Sequence, residues 1–273
     1  MKKLAMYSAI LVFFSASWMA PAQAKGGTKK QPKKVKMSAE VKEAVDLLKN
    51  DSDDTKVEGI SKLAELADPT GVTPLIDLLE KGQTDKVTHA AIDALGAISS
   101  PKAIPILTEY MKHRRSKVRI LAINAIAEIK DKQVIEALKN ALKDSDSMVR
   151  KTAALALGRY GDQSAVDVLF KAFDRNVVEA AIAIGQIGNV NDMERLSSYL
   201  GSSPLVDLLP GFSEFLTRES FPEKGKLTIL EKLMELAGPE VKQFLIKFVE
   251  NLPADYQGPV KKKAQDAISS IAD

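Results

Sequence analysis

The chain has 273 residues, of which 45% are hydrophobic and 27% are charged, and its formal net charge is +3. These values exclude a disordered or fibrous protein and allow a sizeable buried core. The absence of cysteine excludes disulfides, thiolate catalysis and cysteine-ligated zinc. The two histidines, His89 and His113, form no metal-binding spacing. We therefore predict no catalytic residue, no metal site and no cofactor.

Residues 1–24 have the features of a secretory signal peptide. Two lysines precede a charge-free run, Leu4–Met19, and Ala22 and Ala24 frame a signal-peptidase site. A retained membrane anchor is the alternative, because the run is close to the shortest that could span a bilayer. The A-x-A site and the proline before it favour cleavage. We therefore expect a bacterial protein that is periplasmic or secreted.

Residues 25–37 are predicted to be a basic, disordered arm. The stretch KGGTKKQPKKVK holds six lysines and no acid, and the body from Met37 onward carries a charge of about −5. The lysines are Lys25, Lys29, Lys30, Lys33, Lys34 and Lys36. They are candidates for contact with an anionic envelope surface, where each lysine contributes about 1 kcal/mol. The alternative is a solubilising linker.

The body, residues 38–273, repeats a helical pattern. Related stretches begin at Ala94, Ala125, Ala156 and Ala183, with offsets of 31, 31 and 27 residues. After each capping residue, such as Asp131, apolar residues follow at the i, i+3, i+7 spacing of one helix face. These segments are predicted to be the first helices of helix pairs, with an Asp or Ser as N-cap.

The second helices are predicted from their valine, alanine and glycine columns. Val87, Val118 and Val149 each lie eight residues before another apolar residue, and alanines fill the positions between. Gly96, Gly158 and Gly185 form one further column of small residues. Small residues on one helix face let neighbouring helices approach closely, as the stacking of repeat upon repeat requires.

These patterns resemble HEAT repeats of the short type, which also occur in the bilin lyases associated with phycobilisomes. The clearest units are residues 100–130 and 131–161, and several columns agree over four consecutive units. The resemblance implies an all-α fold, an α-α superhelix of about seven helix pairs. The predicted repeats lie near residues 40–67, 68–99, 100–130, 131–161, 162–188 and 238–273, with an irregular region at 189–237.

The irregular region contains two prolines that bear on its helices. Pro210 is predicted to kink or end a helix, and Phe221–Pro222 is predicted to interrupt another. We interpret residues 204–225 as a divergent helix pair.

A solenoid of this type has a concave surface, usually lined by the second helices, that generally binds a protein or peptide. The candidate partner-binding residues are Arg119, Arg150, Lys117, Asn124, Asp93 and His89. For Arg119 and Arg150 a structural role is the alternative, because in resembling repeats an Asp in the loop between the helices and an Arg six residues later form a ladder. Asp144 and Arg150 have that spacing, whereas His113 occupies the Asp position before Arg119.

The leading function is therefore an exported, non-enzymatic scaffold that binds a protein or peptide partner. An envelope-adhesion protein acting through the lysine arm is the alternative, and a lyase or chaperone-like factor of the bilin lyase type is a third possibility. Nucleic acid is not expected as a partner, because the body is acidic and the single tryptophan, Trp18, lies in the signal segment. The oligomeric state is not predicted.

Overall fold

The computed structural model describes residues 36–271, and within this span all regular structure is helical. The predicted signal segment, with Ala22 and Ala24, and the lysines from Lys25 to Lys34 lie outside the described residues. The α-helices of the described span are α1 (Ala39–Leu47), α2 (Asp53–Leu66), α3 (Val72–Glu80), α4 (Asp85–Ile98), α5 (Ile104–Tyr110), α6 (Ser116–Ala127), α7 (Lys132–Ala141), α8 (Ser147–Tyr160), α9 (Val166–Phe173), α10 (Ala180–Ile187), α11 (Val190–Ser197), α12 (Leu205–Thr217), α13 (Glu223–Leu236), α14 (Pro239–Glu250) and α15 (Pro259–Ser270).

Six antiparallel pairs, from α1–α2 to α11–α12, make up most of the fold. In each pair the first helix packs against the second, and the second helices stack in chain order from α2 to α12. Valines and leucines from both helices fill one continuous core, and the largest fully buried side chains include Phe170, Phe212 and Phe215. The predicted all-α superhelix of helix pairs is confirmed.

The second helices approach one another most closely at the predicted small-residue column. A Cβ added to Gly96 would lie 2.8 Å from the Cα of Ala125, and one added to Gly158 would lie 2.9 Å from the Cα of Ala183. Gly185 faces the main chain of Gly211 in the same way. The second helices therefore stack closely on one another, and we call the solvent-exposed side of this stack the inner face.

The turns between pairs explain where each first helix begins. The side chain of Asp68 accepts a hydrogen bond from the Thr70 amide at 2.8 Å, and that of Asp131 accepts one from Gln133 at 2.9 Å. These caps are the ones the sequence predicted. Ser100 occupies the predicted N-cap position before Pro101, but its buried side chain accepts no capping hydrogen bond.

The irregular region differs from its sequence interpretation. Residues 204–225 hold α12, a short linker and the start of α13, so the predicted divergent pair is wrong. Pro210 lies inside α12 rather than ending it. Pro210 and Val206 are both exposed, so the Val206 carbonyl left without a partner can bond water. The predicted interruption at Phe221–Pro222 is confirmed, because α13 begins at Glu223.

The last three helices close the solenoid. Helix α13 has no first helix of its own and packs against α15, while α14 and α15 form the final pair. The Arg218 guanidinium ties this end to the preceding repeat, since it donates to the main-chain oxygen of Gly185 at 2.8 Å and to that of Gly188. Residues 36–271 include no helix that is both long and apolar enough to cross a membrane.

Candidate partner-binding face

The described residues contain no group of three or more His, Asp or Glu side chains placed to hold a metal ion. The two histidines belong to different repeats, and His113 accepts a hydrogen bond from the Arg115 amide at its Nδ1. A cavity of about 640 Å³ lies between the α3–α4 and α5–α6 loops. The ion pair between Arg115 and Asp85 and the bond from the Tyr110 hydroxyl to the Leu79 carbonyl link these same loops.

Arg119 is part of the framework and lies away from solvent. Its residue surface is 9% exposed, and its Nη1 donates to the main-chain oxygen of His113 at 2.8 Å. Its Nη2 forms an ion pair with the Asp144 Oδ1 of the next repeat at 2.7 Å. The same Asp144 oxygen accepts the Asp146 amide at 2.9 Å. Arg119 therefore fixes the α5–α6 loop of its own repeat and joins two repeats, which leaves it unavailable to a partner.

Arg150 bonds to main-chain oxygens of the loop in its own repeat, as Arg119 does in the preceding repeat. Its Nη1 donates to the main-chain oxygens of Asp144 at 2.8 Å and Ser145 at 3.0 Å. The predicted side-chain pair between Asp144 and Arg150 is therefore wrong, because Arg150 donates to the main-chain oxygen of Asp144 and not to its carboxylate. The carboxylate of Asp144 pairs with Arg119 of the preceding repeat, because stacking places that guanidinium beside the loop.

The other four candidates lie on the inner side of α4 and α6. Asp93, Lys117 and Asn124 are exposed, and His89 is half-buried. Asp93 and His89 are four residues apart and share one face of α4. Asn124 occupies on α6 the position that Asp93 has on α4, so these two side chains belong to one outward column.

Burial of the carboxylate raises the pKa of Asp93 above its ordinary value, while the charge of His89 acts in the opposite direction. The residue is nevertheless exposed, so the carboxylate is only partly desolvated. No described cation forms an ion pair with it. Asp93 is therefore an unpaired carboxylate that a cationic group of a partner would stabilise.

Asp93→Asn is expected to raise the melting temperature at pH 7 by at most about 2 °C. The pKa of Asp93 is higher in the folded than in the unfolded chain, so ionisation costs stability at neutral pH and this cost disappears as the pH falls through the folded pKa. Melting curves from pH 7 to about pH 3 should show the difference in melting temperature between the variant and the unaltered chain, which we call the gap, closing in acid. Asp266→Asn, at an exposed site on α15, controls for the lost charge. A gap that widens in acid would contradict this assignment.

Further along the same face, aliphatic residues replace the polar ones. Leu155 on α8 and Ile182 on α10 continue the column of Asp93 and Asn124, and both are half-buried. Neither is part of the hydrophobic core of the described chain. Together with Ile120 and Leu121 of α6, which are also half-buried and pack against the edge of the core, they form what we call the inner patch.

The inner patch was not predicted from the sequence. The sequence does contain a signal for it in the repeat spacing. Leu155 follows Asn124 by 31 residues and Ile182 follows Leu155 by 27, which are the offsets between repeats. A column that is polar in other repeats faces solvent, so an aliphatic residue in it does not contribute to core packing. Of the predicted envelope-contact lysines, only Lys36 is described, and it is exposed.

The HEAT repeat family model matches residues 41–118 and 111–185, which together span more than half of the chain. The chain belongs to the HEAT repeat family. The repeats of this HEAT protein that carry the inner patch, α6, α8 and the start of α10, lie within the matched span. The search of curated proteins gave no match.

Several solved structures are similar in fold. One is the complex of CpcE and CpcF of phycocyanin lyase from Nostoc sp. PCC7120, at 17% identity and a TM-score of 0.47, over 92% of this chain and 100% of that one. An engineered protein has 23% identity and a TM-score of 0.39, over 85% and 96%. Human deoxyhypusine hydroxylase has 20% identity and a TM-score of 0.31, over 84% and 83%. Likenesses this distant say nothing about the activity of this chain.

Proposed function

We propose that this HEAT repeat protein is an exported, non-enzymatic scaffold that binds a protein or peptide partner on its inner face. The observation that carries the proposal is the inner patch, where half-buried aliphatic side chains lie on the successively stacked helices α6, α8 and α10. Leu155 and Ile182 are aliphatic surface that the core does not use, which is typical of protein interfaces. The unpaired carboxylate of Asp93 at the polar end of the face would orient a basic residue of the partner.

Export is supported by the sequence of residues 1–24, whose charge-free run and A-x-A site match a cleaved secretory signal. A periplasmic or secreted bacterial scaffold would meet its partner in the cell envelope. The purified protein should therefore be tested against an envelope extract.

The double variant Leu155→Ser/Ile182→Ser is expected to weaken partner capture from that extract about tenfold or more, since it removes apolar contacts at the centre of the face. Both side chains are half-buried and outside the core, so the helical circular dichroism should stay unchanged. The matched control is Leu236→Ser on α13, a 40% exposed leucine away from the inner patch. Equal capture by the variant, the control and the unaltered chain would contradict the proposal.

Envelope adhesion through the lysine arm is a second candidate function. It is favoured by the six lysines without an acid in residues 25–36. Deleting that segment separates the two functions in the same capture experiment. A partner that stays bound to the deleted chain is held by the solenoid, whereas one that is lost is held by the arm.

A further inference from the structure

A second surface of the described chain lies on the first helices, opposite the inner face. Between α7 and α9 there is a groove of about 350 Å³. Four cationic side chains line it, together with a single carboxylate, that of Glu136. The cations are Lys139, Lys143, Lys171 and Arg175. We call this surface the basic groove.

Three of these cations have no anionic partner among the described residues. Lys139 Nζ lies 3.0 Å from Glu136 Oε1 and 3.5 Å from the Ser164 hydroxyl, so this pair is neutral and fixed in place. Lys143, Lys171 and Arg175 are all exposed and form no ion pair within residues 36–271. The basic groove therefore carries a local charge of about +3.

Two of the three acids nearest these cations are paired elsewhere. Asp144 follows Lys143 in the chain, but its carboxylate pairs with Arg119 at 2.7 Å. On the neighbouring helix turn, Asp167 pairs with Arg195 at 3.0 Å. Asp174, which precedes Arg175, accepts the neutral Tyr199 hydroxyl at 2.7 Å and keeps its negative charge. With Asp174 included, an excess of about +2 remains on this side of the fold.

A cation in the last turn of a helix stabilises the helix dipole, and Lys139 and Lys171 both have that position. This effect explains one cation at each helix end but gives no reason for four of them to face a common groove. Leu142, Val168 and Ala172 line the same groove between the charges. Such a surface suits an anion with several oxygen atoms, which lysines and an arginine can hold together.

We propose that the basic groove is a binding site for a phosphate-bearing anion. The ammonium groups of Lys143 and Lys171 supply point charges, and the Arg175 guanidinium supplies paired N–H donors for two oxygens of one phosphate group. This site is separate from the inner patch and does not depend on it. The phosphate could belong to a lipid headgroup or to a soluble ion, and the experiment distinguishes the two.

The test compares two variants of the full chain that have equal net charge. The groove variant carries Lys143→Glu, Lys171→Glu and Arg175→Glu, and the control variant carries Lys224→Glu, Lys247→Glu and Lys262→Glu at exposed sites on α13, α14 and α15. Tripolyphosphate binding is measured by titration calorimetry at low salt. We expect the groove variant to lose about tenfold or more in affinity and the control to stay within about twofold. Circular dichroism verifies that both variants are folded.

Vesicles containing anionic phosphatidylglycerol form the second arm of the experiment. If the groove variant loses both tripolyphosphate and vesicle binding, the site takes lipid phosphates. If it loses tripolyphosphate alone, the site takes a soluble anion. If the two variants lose tripolyphosphate affinity equally, or neither does, attraction is a property of overall charge and the proposal is overturned.

Discussion

Replacing Gly96 with valine is expected to lower the free energy of unfolding by about 3 kcal/mol. A Cβ at this position would lie 2.8 Å from the Cα and 3.0 Å from the Cβ of Ala125, so the added side chain would meet the main chain of α6. Moving α4 away from α6 to make room would break the contact that joins the two repeats, because each repeat contacts only its neighbours. The measurement is urea denaturation followed by circular dichroism.

Ala97→Val is the matched control, since residue 97 is adjacent on the same helix and exposed. This change introduces the same β-branched side chain and should cost less than about 1 kcal/mol. Equal losses at the two positions would show that helix propensity, rather than close approach of the second helices, determines the effect.

Replacing either partner of the Arg119–Asp144 ion pair should also destabilise the chain strongly. The two side chains are 11% and 15% exposed, and removing one leaves the other charged and largely desolvated. We expect Arg119→Ala to cost about 3 kcal/mol, because the guanidinium also donates to the main-chain oxygen of His113 in the α5–α6 loop. Asp144→Ala should cost somewhat less, since Arg119 keeps its main-chain acceptors.

A double-mutant cycle on unfolding free energies measures the coupling between these two side chains. The Arg115–Asp85 pair, which also joins neighbouring repeats but is 47% and 64% exposed, provides the control. Its coupling should stay below about 1 kcal/mol. A smaller coupling for Arg119–Asp144 than for Arg115–Asp85 would contradict the framework role of Arg119.

The repeats could be predicted because their determinants are local. Apolar residues at i, i+3 and i+7 specify each helix face, and columns such as Gly96 and Ala125 specify where helices touch. Pro210 was predicted less well, because a propensity rule takes no account of exposure. In the structure the carbonyl that this proline leaves unpaired is on the solvent side of α12, so the helix continues.

The candidate face was predicted only in part, for a different physical reason. The column of Asp93 and Asn124 followed from the pattern, but the partner of Asp144 depends on how one repeat stacks on the next. The exposure of Leu155 also depends on how the repeats stack. Leu155 resembles a core residue in sequence and is half-buried only because the second helices leave it uncovered. Export and the role of the lysine arm stay predictions from sequence.

The central claim is that a partner lies along the second helices, and site-specific photo-crosslinking tests it most directly. A photoreactive residue is placed at Leu155 in the inner patch or at Gln133, an exposed position on first helix α7. Both proteins are produced in the same cells and irradiated there. We expect a discrete protein adduct from position 155 and none of that size from position 133. An adduct from position 133 alone, or the same adduct from both positions, would contradict it.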